Sequence, residues 1–589
     1  MKVILYYPPL VVASVKNPYP SLSILSSYLK ENSNHDVLVK DINVDFIKNL
    51  INISEQNVPN KISEFFLLKC VRTIRNRVSF IFSIMFLKRI YSLLYVRFIR
   101  LQYRPFRSKI NIMHYFRAKK QQINLLSIEN HVIEGLKTLF DIDNDIDYKT
   151  IQTLKSNDSR FECDHYLLDF WNLKFSQIDN LINSEFTDKT YSSLGLNYFN
   201  EIKQNEKQLF GISVAFFTQF GAAISLAKHI KKINPAAFII IGGPVIRHVS
   251  DKFSKITQLF DIVDCFVETE GEDILLELTN KIDKNEDWHN VPGIIIRDIH
   301  NKIIKNPPIQ FDINKNGIPD YSFVANHKYL LPDTLYLRTS IGCYWNKCKF
   351  CTQALNKYKH RSVEAIVNDM IKMQEMYRCN FIYLSDEGVH FKKVAKIADL
   401  IVDKKLNILW TTYSKLDTKF TIDLCKKIIR SGCDVLTFGL ESANQRVNDL
   451  MDKGVSIATV IENLNVFRKL RFGCAIGAMI GFPGETEEEM QYTADFLNSY
   501  INENKGVVGY ISIFSLNARS YVYDNPQEFG ISSIENADEY FYKENYDYKS
   551  MNRVPYERMM EIANVVNMQS MSKVVFRGLN VKGGRKSRR

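Results

Sequence analysis

Leu335-Tyr-Leu-Arg338-Thr-Ser-Ile-Gly342 runs directly into Cys343-Tyr-Trp-Asn-Lys-Cys348-Lys-Phe350-Cys351. The apolar run reads as a β-strand, and the nine residues that follow place three thiols at its carboxyl end. Three thiolates can hold three corners of an iron–sulfur cube and leave the fourth iron without a protein ligand, which is where chemistry can occur. Cys-x-x-Cys spacing also occurs in zinc sites, but these want a fourth soft ligand, and the nearest, His360, stands alone. A disulfide is disfavoured because the chain carries no secretory signature.

Outward from this loop, the alternation of strand and helix is regular. Candidate strands fall at Leu335–Ile341, Phe381–Leu384, Ile408–Tyr413, Val435–Leu440, Ala475–Ile480 and Val507–Phe514, and the clearest helices at Ser362–Met376 and Ile457–Leu470. Six βα units predict a partial (β/α)6 barrel over residues 334–515, with its site at the C-terminal ends of the strands. Polar residues stand at those ends: Ser385-Asp386-Glu387, Ser414-Lys415, Glu441-Ser442 and Gly481-Phe-Pro-Gly484-Glu485.

The first 300 residues read as a doubly wound, Rossmann-like α/β domain interrupted by a helical insertion over about 51–205. Its strands are Lys2–Tyr6, Asp36–Asp41, Leu209–Ser213, Ala237–Gly243 and Ile262–Val267, with helices over Ser21–Lys30 and Ala222–Ile233. Such sheets bind ligands beyond the carboxyl ends of their strands. There the sequence offers Ser213 with Thr218 and Gln219, Gly242-Gly243-Pro244, and Glu270-Gly271, where glycines let a ligand approach the backbone. Residues 301–333 are expected as a linker, and 516–589 as an α-rich C-terminal region with a basic tail.

The thiol loop, with an aromatic before its last cysteine, resembles that of radical S-adenosylmethionine (SAM) enzymes. One departure is that four residues, Tyr344 to Lys347, separate the first two cysteines where three are usual. The resemblance implies a [4Fe-4S] cluster on Cys343, Cys348 and Cys351 whose open iron chelates SAM, and whose electron, supplied by a donor such as flavodoxin or ferredoxin, cleaves SAM to a deoxyadenosyl radical. It further implies SAM contacts from Phe350, Ser385, Asp386, Glu387, Ser414, Lys415, Glu441 and Gly481. Carboxylates suit the ammonium and ribose hydroxyls of that ligand. The order of Tyr7-Pro-Pro9, Pro20-Ser-Leu22, Asp41-Ile-Asn43, Ser213 with Thr218 and Gln219, Gly242-Gly243 and Glu270-Gly271 looks like the cobalamin-binding domain found ahead of many radical SAM domains. The Asp-x-His-x-x-Gly signature is absent, because Asp287-Trp-His289-Asn-Val-Pro292 ends in proline; cobalt is expected without a protein imidazole, and His289 as a loop residue. The whole implies a cobalamin-dependent methyltransferase acting on an unactivated carbon, or a cyclisation, rearrangement or oxidation on the same architecture. From a different class, a zinc-stabilised basic RNA-binding protein fits the cysteines and the charge.

Bulk composition narrows these readings. A chain of 589 residues implies more than one domain, and 46% hydrophobic content is globular. The net charge of +12 is concentrated in Arg72–Lys120 and in the terminal Lys-Gly-Gly-Arg-Lys-Ser-Arg-Arg589. The former reads as a helical insertion packed on its own protein, with peripheral membrane contact or a nucleic-acid patch as alternatives; it mildly favours an anionic substrate, a small molecule or a peptide. No stretch is long and apolar enough to span a bilayer. Ten cysteines without regular pairing suit a reducing cytoplasm. Cys70, Cys163, Cys265, Cys379, Cys425, Cys433 and Cys474 show no cluster spacing, so no second cluster is expected.

Overall fold

A computed structural model describes residues 1–8, 17–46, 172–183 and 199–576, apart from 328, 330, 356, 504–506, 544 and 552. The chain divides into one unit of residues 1–46 and 149–589 and another of 47–148. The second unit lies outside the described residues, and with it most of the expected insertion, the basic stretch Arg72–Lys120 and Cys70. Cys163 and the basic tail from residue 577 lie outside them too.

The first sheet contains β1 Lys2–Tyr7, β2 Asp36–Asp41, β3 Gln208–Ser213, β4 Phe238–Gly242, β5 Cys265–Val267, β6 Ile294–Arg297 and β7 Ile303–Lys305, in the order β2-β1-β3-β4-β5-β6-β7. Strands β2 to β5 pair in parallel through β1 and β3, and β6 and β7 add an antiparallel edge. The central strands β1 and β3 are buried almost throughout because both faces are covered, while the edge strands β2 and β7 carry polar, exposed positions. Val3, Leu5, Tyr7 and Leu209 enter one core, while Ile4, Tyr6, Phe210 and Ile212 enter another on the opposite face. The register sets Ser213 beside Gly242 and Gly242 beside Val267, so the loops after these strands open on one edge. The hairpin β6–β7 carries the sheet past residue 300, to Lys305.

The second sheet has six parallel strands in consecutive order: β8 Thr334–Leu337, β9 Phe381–Val389, β10 Leu409–Ser414, β11 Cys433–Glu441, β12 Cys474–Ile480 and β13 Val507–Ile513. Helices Val363–Tyr377, Phe391–Asp403, Ile422–Arg430, Ile457–Leu470 and Glu487–Glu503 follow the first five strands, giving an open barrel. Local signals place them. Ser362 accepts a hydrogen bond from the Ala365 amide at 3.1 Å and Thr421 one from Leu424 at 3.2 Å, N-caps that each stabilise a helix start by about 1 kcal/mol. The first strand stops at Leu337 rather than Ile341, since the Thr339 and Ser340 amides turn to the Asp386 carboxylate at 2.9 and 2.7 Å; Ser340–Ile341 then pairs antiparallel with Lys359–His360.

The segment 301–333 ties the two sheets together. Asp320 accepts from Ser26 and Lys30, each at 2.7 Å, the Tyr321 hydroxyl donates to the Tyr336 carbonyl at 2.8 Å, and Tyr329 donates to Asp41 at 2.6 Å. The C-terminal region is less helical than expected. Ile531–Ile534 pairs with Tyr548–Ser550, and Tyr540–Lys543 pairs with Asn172–Lys174, before the helix Tyr556–Phe576. The aromatic run Tyr540-Phe541-Tyr542 favours a strand, and its Phe541 ring is fully buried against Phe175, Phe220 and Phe253 at 5.1–6.0 Å.

Candidate functional site

Cys343, Cys348 and Cys351 emerge where β8 gives way to its loop, at the C-terminal mouth of the barrel. The loop is pinned residue by residue. Tyr344 donates to Asp417 at 2.7 Å, the Trp345 indole donates to the Asp452 carbonyl at 2.7 Å, and the Lys349 amide donates to Met451 O at 3.0 Å. Lys415 sits 3.5 Å over the Trp345 ring and donates to the Gly454 carbonyl at 3.1 Å. Gly454, at φ +63°, leaves the space the indole fills; a Cβ there would overlap the ring. Asn346, within the loop, takes a left-handed conformation, φ +53°, which Asn tolerates better than most residues.

The three thiols lie close enough to interact electrostatically, as cluster ligands must, although Cys351 lines neither cavity. Cys343 and Cys348 line a cavity of about 250 Å³ together with Glu387, Ser414, Lys415, Glu441 and Lys453. Gly388 passes so close to Cys343 that a Cβ would lie 3.3 Å from its Sγ. Burial raises the Cys348 thiol to about 11, with Lys453 opposing and Cys351 adding to it. No three His, Cys, Asp or Glu side chains among the described residues converge as the ligands of a single ion would, whereas three cysteines on separate corners of a cubane need not.

Around this cavity the strand-end residues divide into those that face it and those that build it. Glu441 faces it from a strained backbone, φ +62°, at a register shift in β11, and pairs with Lys453 at 2.6 Å. Burial opposes the charge on Lys453, yet Glu441 and Cys348 hold its pKa well above the usual lysine value. Burial lowers Lys415 to about 8 against the pull of Asp417. Ser414 lines the cavity and donates to the Val389 carbonyl at 2.8 Å. Asp386, by contrast, is buried and spent on Thr339 and Ser340, with Lys393 donating to the Thr339 carbonyl at 3.3 Å. Gly481, φ +82°, donates to Glu485 at 2.7 Å and lines neither cavity, and Phe350 packs partly buried beside Phe482 and Phe514.

A second cavity of about 620 Å³ lies between the sheets, and Glu387 and Tyr413 line both. Burial and the Asp386 carboxylate raise the Glu387 pKa. The sheet edge supplies Ser213, Gly242, Gly243, Glu270 and Gly271, and the barrel supplies Ser385 and Asp386. Gly243 has φ +114° and no room for a Cβ against the Val214 carbonyl, so the backbone is bare where a large ligand would lie. Thr218 and Gln219 do not line it; Gln219 is buried and fastens its loop, accepting from the Ala215 amide at 2.9 Å and donating to Pro8 at 2.7 Å. The carboxylates Glu268, Glu270, Glu272, Asp386 and Glu387 outnumber the arginines Arg247 and Arg338. Arg247 pairs with Glu270 at 3.7 Å, and Arg338 with Glu272. His289 is an exposed loop residue bonded to Asp287, while the imidazole lining this cavity is His248, which burial and then Arg519 and Arg247 press to about 4.

Lys453, Trp345, Arg247, Arg338 and Tyr413 were not legible as site residues. Lys453 follows a turn with no motif of its own, Arg247 and Tyr413 reach the site through tertiary packing, and Trp345 and Arg338 stand beside the thiols in sequence but owe their roles to distant partners, Gly454 and Glu272.

A family model described as the radical SAM superfamily matches residues 337–497. An uncharacterized methyltransferase of Pyrococcus horikoshii is 27% identical over 326 residues, 54% of this chain and 68% of that protein. The anaerobic magnesium-protoporphyrin IX monomethyl ester cyclase of Cereibacter sphaeroides is 23% identical over 279 residues, 44% of each. The fold is similar to that of the cobalamin-dependent SAM radical enzyme OxsB, solved with aqua-cobalamin and SAM bound, at TM-score 0.57 and 12% identity over 95% of this chain and 65% of that one.

Proposed function

We propose that the chain, whose residues 337–497 match the radical SAM superfamily, is a cobalamin-dependent radical SAM methyltransferase acting on an unactivated carbon. The observation that carries this reading is that the thiol cavity and the bare glycine edge of the sheet meet at Glu387 and Tyr413. Cys343, Cys348 and Cys351 would hold the [4Fe-4S] cluster; Glu441, Ser414 and Glu387 would face SAM; and Ser213, Gly242, Gly243, Glu270 and Gly271 would border cobalamin. When bound, these groups supply a carbon radical and a transferable methyl group. The chain supplies position: the Glu441–Lys453 pair fixes one wall and the Trp345 wedge fixes the loop.

A second reading is supported by the similarity to a cyclase: the same constellation could close a ring or oxidise a substrate without moving a methyl group. Anaerobic reconstitution and methyl-labelled SAM test both. The expected result is a cubane absorbance band and deoxyadenosine release, with label passing to product. Release without label in the product selects the second reading. Cys348→Ala should abolish deoxyadenosine formation while leaving cobalamin bound; full activity in that variant, or bound zinc with salt-sensitive RNA binding in the wild type, would reject the enzyme as described.

A further inference from the structure

Four tyrosines inside the barrel have no part in holding the thiol loop or the carboxylates. Tyr336, Tyr383, Tyr413 and Tyr510 stand on β8, β9, β10 and β13, where parallel barrels usually carry branched aliphatic side chains. Tyr336 and Tyr383 are register partners with ring centres 5.2 Å apart, and the Tyr383 ring centre lies 6.2 Å from that of Tyr413. The alternation along β9 puts Tyr383 on the same face as Ser385 and Glu387. Tyr510 lies across Gly477, where a Cβ would come within 2.6 Å of the phenol, so the neighbouring strand has no side chain under that ring.

These rings are open to the cavities. Tyr413 and Tyr510 are 40% and 46% exposed, and Tyr413 borders both cavities while Tyr510 borders the thiol one. Bare aromatic faces inside a concave site are binding surface. The thiol cavity sets Lys415 and Lys453 against Glu387 and Glu441, but the larger cavity is acidic: both its arginines are already paired, no lysine lines it, and Glu387 has no ion-pair partner among the described residues. An anionic substrate, which the basic stretch outside the described residues favoured, would meet repulsion here.

We propose that this tyrosine belt is the substrate platform, and that it takes a flat conjugated ring system, neutral or cationic, stacked on Tyr413 between the thiol loop and the sheet edge. The inference rests on the reading of the chain as a radical SAM enzyme. Stacking supplies affinity for the ring face, and the surplus of carboxylates discriminates against anions.

Saturation-transfer NMR and equilibrium dialysis on the full-length, anaerobically reconstituted protein with SAM test it, using tryptamine, indole, indole-3-acetate and hexylamine as probes. Tryptamine and indole should bind at least tenfold tighter than indole-3-acetate and hexylamine. Tyr413→Leu should erase that margin and Tyr413→Phe should keep it; if Tyr413→Leu fails to fold, Tyr510→Leu carries the same expectation. Equal affinities for all four probes, tightest binding of the anion, or an unchanged margin in the leucine variant would overturn the platform. Deoxyadenosine release by the wild type, measured in parallel, separates the two readings: release with no ring preference sinks the platform alone, and no release sinks the radical enzyme.

Discussion

Gly454 and Trp345 carry the consequence of a thiol loop one residue longer than usual. The indole is held by a hydrogen bond to Asp452, by Lys415 above its face and by the space at Gly454. Gly454→Ala adds a Cβ both to a left-handed backbone and into the ring, and should cost about 2–4 kcal/mol, combining strain with overpacking. Trp345→Phe loses one hydrogen bond, about 1 kcal/mol, and keeps the stack. Iron retained after anaerobic gel filtration should therefore fall in the order wild type, Trp345→Phe, Gly454→Ala; equal iron in all three would show that the wedge does not position the cysteines. Glu485 gives a separate, pH-dependent signature. Its carboxylate accepts from the Gly481 and Phe482 amides, yet burial outweighs these bonds and raises its pKa from 4.5 to about 8. The folded chain thus binds this proton more tightly than the unfolded chain does, so the contribution is complete below about pH 4.5 and is lost as pH climbs through about 8. Glu485→Gln keeps an acceptor without the charge. Its melting temperature should fall less than that of the wild type between pH 5 and 9 in anaerobic scans; parallel slopes would remove Glu485 as the cause.

The turn after β8 depends on a carboxylate from the neighbouring strand. Asp386 bonds two amides and the Thr339 hydroxyl, and Lys393, lowered by burial to about 8 with Asp386 opposing, caps the same threonine. Asp386→Ala should cost about 3–5 kcal/mol because buried partners lose their anion, and Lys393→Met in the same chain should recover part of that loss. SAM affinity separates this tether from the direct contact implied by the family motif. A large fall in melting temperature with an unchanged SAM dissociation constant marks a tether, and the reverse marks a ligand contact. The same residue shows what a sequence can and cannot disclose. Strand and helix periods were legible because each expected strand buries at least one face, and all eleven formed with ends shifted by a few residues. The roles within Ser385-Asp386-Glu387 were not legible, since all three line the larger cavity and only the register of β8 and β9 turns Asp386 to the Thr339 and Ser340 amides while Glu387 also reaches the thiol cavity. The strand Tyr540–Lys543 was not legible because its partner Asn172–Lys174 lies in a distant segment, whereas the hairpin β6–β7 is local, its second strand being only three residues long.

The two sheets form one cavity only because later segments hold them together. Tyr329 reaches Asp41 from the connecting segment, and Arg519, after the last barrel strand, donates to the Arg247 carbonyl and to Ser250 Oγ at 3.3 Å. Arg247 and His248 lie on the helix Pro244–Val249, whose N-terminus is the bare Gly243. The C-terminal region therefore grips the helix that borders the proposed cobalamin edge, from outside the sheet that presents it. Removing that grip should loosen the edge without touching the thiol loop. Arg519→Ala removes a charged donor from Ser250 and the Arg247 carbonyl, which keep their bond to each other at 3.3 Å, a loss of about 1–3 kcal/mol that falls on a local opening rather than on global unfolding. Hydrogen exchange of residues 243–253 should accelerate while that of the thiol loop does not, and cobalamin should dissociate roughly tenfold faster, the kinetic equivalent of about 1.4 kcal/mol. Iron content and uncoupled deoxyadenosine release should stay within about twofold of the wild type. Should exchange rise equally around Cys343–Cys351, the clamp would belong to the stability of the entire barrel, and the sheet edge would not be an independently held surface.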